Sequence, residues 1–170
     1  MTAADSLDLL ALGRVSVDLY AQETHTSFLE PQTFVKSIGG SPTNVAVAAA
    51  RLGLRSALVT AVGDDPMGEY TIEKLAALGV QTRYVTRQEG GRTPVVLVAL
   101  EDPDEPTITF LRAQDAPDTA VEPDAVDDAT LSACCVLWMS GSTLAVGATA
   151  RTAMHWLERR ARHPHTVLDL

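Results

Sequence analysis

The chain has 170 residues, of which 46% are hydrophobic and 21% charged, enough for one ordinary domain with a real core. Its net charge of -9 excludes a nucleic-acid binder, which needs a basic face, and no apolar run reaches the ~18 residues of a membrane span. The start of the chain has no basic stretch followed by an apolar one, so a cytoplasmic protein is the expectation.

Leu7 to Leu12 is a short apolar run ending at Gly13 and reads as a buried strand. Residues 15–21 alternate, with Val15, Val17 and Leu19 against Ser16, Asp18 and Tyr20, the pattern of a half-exposed strand. Residues 33–38 read as a return strand leading into Gly39 and Gly40. Ser41 then suits a helix N-cap and Pro42 the first helical position. Residues 45–52 are apolar almost all round, which predicts a buried helix. A second unit follows, with a strand over 56–62, a loop from Gly63 to Gly68 and a helix over 69–78.

Further strands are expected at 84–86, 93–100 and 107–112, with an acidic, Pro-containing hairpin tip over 101–106. Residues 114–128 read as loop and short helix, 136–139 as a strand, 148–162 as an amphipathic helix and 166–170 as a strand. Alternating strands and helices imply a mostly parallel sheet flanked by helices. The strands near 15–38 and 93–112 break that alternation and pair better as a small projecting sheet, a lid over the site. Cys134 and Cys135 are adjacent, too strained for an ordinary disulfide, and lie in apolar sequence that suggests core packing for both. Three of the four histidines, His155, His163 and His165, lie on or after the last helix and read as surface residues.

The most informative stretch is Gly39-Gly40-Ser41-Pro42-Thr43-Asn44. Two glycines let backbone approach a ligand closely, and the helix they open offers free N–H groups and a positive dipole end. Such a turn suits a hydroxyl-rich or anionic small molecule. No dinucleotide-binding Gly-x-Gly-x-x-Gly follows the first strand and no P-loop occurs.

This stretch, with Gly53 and Gly63 at their spacing, resembles the N-terminal signature of the ribokinase-like (PfkB) carbohydrate kinases. Gly13-Arg14, Asp18, Gly63-Asp64-Asp65 with Gly68, and Phe110-Leu111-Arg112 agree in order, from about residue 7 to 170. Within the family the chain is most similar to the 5-dehydro-2-deoxygluconokinases of inositol catabolism. The resemblance implies a ribokinase-like α/β fold with a β-sheet lid, and transfer of phosphate from ATP, with Mg2+, to a sugar hydroxyl. It implies that Asp18 and Asn44 accept or share hydrogen bonds with sugar hydroxyls and that Gly39 and Gly40 let backbone approach the sugar. Arg112 would clamp a sugar acid's carboxylate with its planar fork, although a surface salt bridge to Asp115 or Glu101 is the competing reading. Gly141 is a further pocket candidate.

The family's catalytic Asp, in a Gly-Ala-Gly-Asp motif, is absent here, and Asp169 matches the start of a segment that the family continues. The expectation is therefore the N-terminal part, residues 1–170, of one kinase domain whose C-terminal part is missing, with no catalytic base or metal ligand in this chain. Other PfkB kinases acting on 2-dehydro-3-deoxygluconate, ribose or fructose stay open. So do a non-catalytic sugar-binding module and a homodimer through the lid sheet.

Overall fold

The computed structural model describes residues 6–163 and 165–170. Two sheets make the fold. The larger is parallel throughout and ordered β5-β4-β1-β8-β9, from β1 (Leu9–Leu12), β4 (Ser56–Gly63), β5 (Val85–Gln88), β8 (Val136–Ser140) and β9 (Thr166–Asp169). The smaller is ordered β3-β2-β6-β7, from β2 (Ser16–Thr24), β3 (Phe34–Gly39), β6 (Val95–Leu100) and β7 (Thr107–Leu111). In it β2 pairs parallel with β6, while β2–β3 and β6–β7 are antiparallel. This is the ribokinase-like arrangement of a parallel sheet, helices and a projecting lid that the sequence implied.

Strand pleating explains where the core sits, because successive side chains leave a strand on opposite faces. Leu10 and Leu12 join Val59, Leu137, Met139 and Trp156 on the face covered by α3 (Asp128–Ala133) and α4 (Gly147–Arg159). Leu9 and Ala11 join Leu58, Trp138, Ala46 and Leu75 on the face covered by α1 (Ser41–Arg51) and α2 (Pro66–Ala77). A strand buried on both faces has no polar side to show, which is why β1 and β4 read as unbroken apolar runs.

Several local expectations need correction. Helix α1 is capped by Gly40, not Ser41, so it begins one residue early. It is not buried all round: Pro42, Thr43, Ala46 and Ala49 are buried, whereas Asn44, Ala48 and Arg51 are exposed. The small size of its alanines, not burial, gave the run its apolar look. Cys134 is buried at the end of α3, but Cys135 is exposed and precedes β8; both thiols are free. Arg160, 3% exposed, fastens this corner by donating to the carbonyls of Cys134 and Leu131. That satisfies the terminal carbonyls of α3 with a cation, as its dipole favours.

The lid is tied to the larger sheet by Asp65. Its carboxylate caps α2 through the Gly68 N–H at 2.7 Å and accepts from the Thr93 N–H at 2.8 Å and the Thr93 hydroxyl at 2.9 Å. The Thr93 hydroxyl in turn accepts from the Gly63 N–H at 2.9 Å, just before β6 begins. One carboxylate thus joins the end of β4, the start of α2 and the entry to the lid. Burial works to raise this carboxyl, but its bonds to Thr93 and Gly68 outweigh that and hold it below the usual range.

Candidate functional site

In open α/β sheets, ligands bind beyond the carboxyl ends of the parallel strands. Here β1 runs out at Gly13 and β8 at Ser140, and the chain after β1 rises directly into lid strand β2. Two adjoining cavities, each of about 140 Å³, occupy this corner. The first lies under the lid and is lined by Ser16, Asp18, Tyr20, Gly40, Val96, Phe110 and others. The second lies at the strand ends, lined by Gly13, Asp118, Thr119, Ser142, Thr143 and Thr149 among others. Arg14 and Arg112 line both.

The lid places its polar groups by register. Asp18 pairs with Ser37 and Val96, and Val96 with Phe110, so all four share one face of the sheet. Asp18 therefore stands in mainly apolar company, and Ser16 donates to its Oδ1 at 2.7 Å. Its neighbour across the bend is Gly39: a methyl group there would overlap both carboxylate oxygens of Asp18. Gly40 turns the chain with φ 105°, and a side chain there would run into the Arg14 carbonyl. The glycine pair thus serves two packing needs at once, room for a carboxylate and a left-handed backbone turn.

Of the residues singled out in the sequence, Asp18, Gly40 and Arg112 line the cavity under the lid, and Gly39 backs Asp18. Asn44 does not join them. It is exposed and lines a separate cavity with Val47, Arg51, Lys74 and Leu78. Because α1 starts at Ser41, Asn44 is its fourth residue, about 100° round the helix from the third. The third is Thr43, buried, whose hydroxyl donates to the Arg14 carbonyl at 3.2 Å. Gly141 opens a short turn beside Leu170, while its neighbours Ser142 and Thr143 line the second cavity.

Arg112 has a partner that the sequence did not offer. It bonds neither Asp115 nor Glu101 but Asp118, at 2.8 Å, and the aspartate side chain is only 3% exposed. Arg14 and Asp118 are the other residues that sequence reasoning missed. Arg14 stood in the quoted Gly13-Arg14 pair, which was its signal; Asp118 lay in a stretch that read as acidic loop. The Arg14 guanidinium also stacks over the Phe110 ring, 5.6 Å from its centroid, which closes the lid cavity at one side.

The charges here behave alike. Burial pushes the Asp18 carboxyl up, against its Ser16 bond and the nearby Arg14 charge. Burial also pushes Asp118 up, against the bond and charge of Arg112. The site sets these two carboxylates beside two arginines that face the cavities, an arrangement that suits a hydroxyl-bearing, anionic molecule. Among the described residues no group of three or more His, Cys, Asp or Glu side chains is placed to hold a metal. The paired cavities have room for a small polyol acid.

Residues 6–164 match the pfkB family of carbohydrate kinases. The chain belongs to this family. It is 32% identical over 163 residues to a 5-dehydro-2-deoxygluconokinase of Geobacillus kaustophilus, covering 95% of this chain and 48% of that protein. Among solved structures it is similar to a fructokinase with bound ATP from Xylella fastidiosa, at TM-score 0.82 and 26% identity, covering 96% of this chain and 52% of the other. An uncharacterized sugar kinase from Pyrococcus horikoshii gives TM-score 0.82 and 26% identity, over 95% of this chain and 52% of that one. The chain therefore spans about half the length of the relatives it matches. No helix among the described residues is long and apolar enough to cross a membrane.

Proposed function

We propose that this chain supplies the sugar-binding half of an ATP-dependent sugar kinase, and that the sugar is a keto-deoxy acid of the 5-dehydro-2-deoxy-D-gluconate type. The observation that carries the reading is one cavity under a β-sheet lid in which Asp18, backed by Gly39, shares the lining with Arg112. A carboxylate accepts two hydroxyl hydrogens well, and a guanidinium fork suits a carboxylate. Asp18 would orient the sugar's hydroxyls, the Gly40 turn would admit its carbon chain, and Arg112 with Arg14 would meet its acid end. ATP with Mg2+ would supply the phosphoryl group. The match to curated 5-dehydro-2-deoxygluconokinases supports the choice of acid, and the fructokinase likeness supports fructose as the second reading. A homodimer through the lid belongs to the same proposal, since edge strand β7 is exposed along its whole length.

The test is a coupled ADP-release assay on the full-length protein with the keto-deoxy acid, 2-dehydro-3-deoxygluconate, ribose and fructose. The acid is expected to give the highest kcat/KM. If ribose or fructose equals it, the sugar-acid assignment fails. Replacing Arg112 with Ala is expected to raise the KM for the acid about tenfold or more, the value of one charge-assisted bond, relative to any change for fructose.

A further inference from the structure

We propose that Asp118 is a positioning residue: from a rigid turn on the larger sheet's side it holds the Arg112 guanidinium at the junction of the two cavities, and thereby sets the preference for sugar acids over neutral sugars. The inference rests on the sugar-acid reading above and assigns a role to a residue that the reading does not need.

Its basis is the contrast between the two partners' supports. Arg112 follows directly on β7, an edge strand whose five residues are all exposed, so the lid gives the arginine little to lean on. Asp118 sits in a short turn, Pro117–Thr119, that is fastened on both sides. The Thr149 hydroxyl, on α4, donates to the Asp118 carbonyl at 2.7 Å, and the Thr119 N–H donates to the Ala116 carbonyl at 2.8 Å. The cation at the end of the edge strand is therefore located by the anion of the fastened turn. Among the described residues this is also the one ion pair in which a residue next to a lid strand meets the body of the larger sheet.

The pair is incomplete in a way that points to a ligand. An arginine fork and a carboxylate can make two parallel bonds, but here only Nη2 to Oδ2 is made. Arg112 Nε and Asp118 Oδ1 are both buried and have no partner within the structure. Buried polar atoms are seldom left unpaired, and Asp118 is almost wholly buried. Both residues line the strand-end cavity, whose other walls carry the hydroxyls of Ser142 and Thr143. The geometry matches a fork held by one tine, with its remaining donors kept for the carboxylate of a bound acid.

The experiment uses the full-length protein with Asp118→Asn, which keeps the shape and removes the charge. The first readout does not depend on turnover: the rate at which phenylglyoxal modifies Arg112, followed by peptide mass spectrometry. Release from Asp118 is expected to raise that rate about fivefold or more while Arg14 changes little. An unchanged rate overturns the inference. The second readout is the ratio of kcat/KM for 5-dehydro-2-deoxygluconate to that for fructose, expected to fall about tenfold through the KM of the acid, with kcat within about twofold. In an Arg112→Ala background the same Asp118 change should leave that ratio where it is. An equal loss for both sugars, or a lower KM for the acid, overturns the positioning role. Should Asp118→Asn not fold, Asp118→Glu takes its place, expected to shift both readouts the same way by less; an unaltered Asp118→Glu protein counts against the proposal. If the parent protein prefers fructose, the sugar-acid reading falls, and Arg112 reactivity still judges Asp118 separately.

Discussion

Asp65 and Asp118 are both partly or wholly withdrawn from water, both lie in connections between strands, and both join the lid to the rest of the fold. They are satisfied very differently. Asp65 accepts three bonds from Gly68 and Thr93, all supplied by its own neighbourhood, and is held below the usual carboxylate range despite burial. Asp118 accepts one side-chain bond, leaves an oxygen unpaired, and is pushed up, as is Asp18 in the adjoining cavity. A carboxylate whose bonds all come from its own chain is a strut. Carboxylates kept short of partners beside a cavity are costly to the fold, and such costs are borne where a ligand is bound.

The comparison predicts that the two classes fail in different ways. Asp65→Ala should produce the largest loss of stability, roughly 2–3 kcal/mol, because it removes a helix cap and leaves Thr93 without its acceptor. Urea unfolding would measure it, and the sugar KM should stay near that of the parent. A large KM change with little loss of stability would put Asp65 in the wrong class. Gly39→Ala should do the reverse. Its methyl would displace the Asp18 carboxylate, so binding of every sugar, acid or neutral, should weaken about tenfold in calorimetry. Stability should change by only about 1 kcal/mol, since Gly39 is in an ordinary strand conformation that alanine accepts.

The smallest effects are in pH dependence, where the two classes have opposite sign. Asp8, bonded to Arg55 at 2.8 Å, is held at about 2 rather than 3.8. A lowered carboxyl contributes stability above its unfolded value and loses it as pH falls toward the folded one, so Asp8→Asn should flatten the melting-temperature curve between about pH 4 and 2. Asp18, raised by burial, favours the protonated form, so its contribution is present at low pH and lost as pH rises. Asp18→Asn should therefore melt slightly higher than the parent at neutral pH and bind sugar less well. A lower melting temperature at neutral pH would show that Asp18 is a strut after all.

Much of this was legible in the residues. The apolar run from Leu7 to Leu12 reads as a buried strand, and β1 is buried at all four of its positions; the alternation over residues 15–21 reads as a half-exposed strand, and β2 buries Val17 while exposing Tyr20. The glycine pair announced the bend. What could not be read were features set by packing between distant segments. Asp118 is fixed through Thr149, 31 residues further on, and nothing local marks an aspartate in an acidic stretch as buried. The outward turn of Asn44 depends on α1 beginning at Ser41, a shift of one residue that a plausible Ser-Pro start conceals. Cys135 read as a core residue because the apolar run around it is continuous, yet it precedes the strand and is exposed.

The most direct test is a crystal structure of the full-length protein with 5-dehydro-2-deoxy-D-gluconate bound. The account predicts sugar hydroxyls within hydrogen-bond distance of the Asp18 carboxylate, the acid group on Arg112, and the Arg112–Asp118 bond still in place. A sugar seated instead beside Asn44 and Arg51, or bound with Asp18 and Arg112 both untouched, would contradict it.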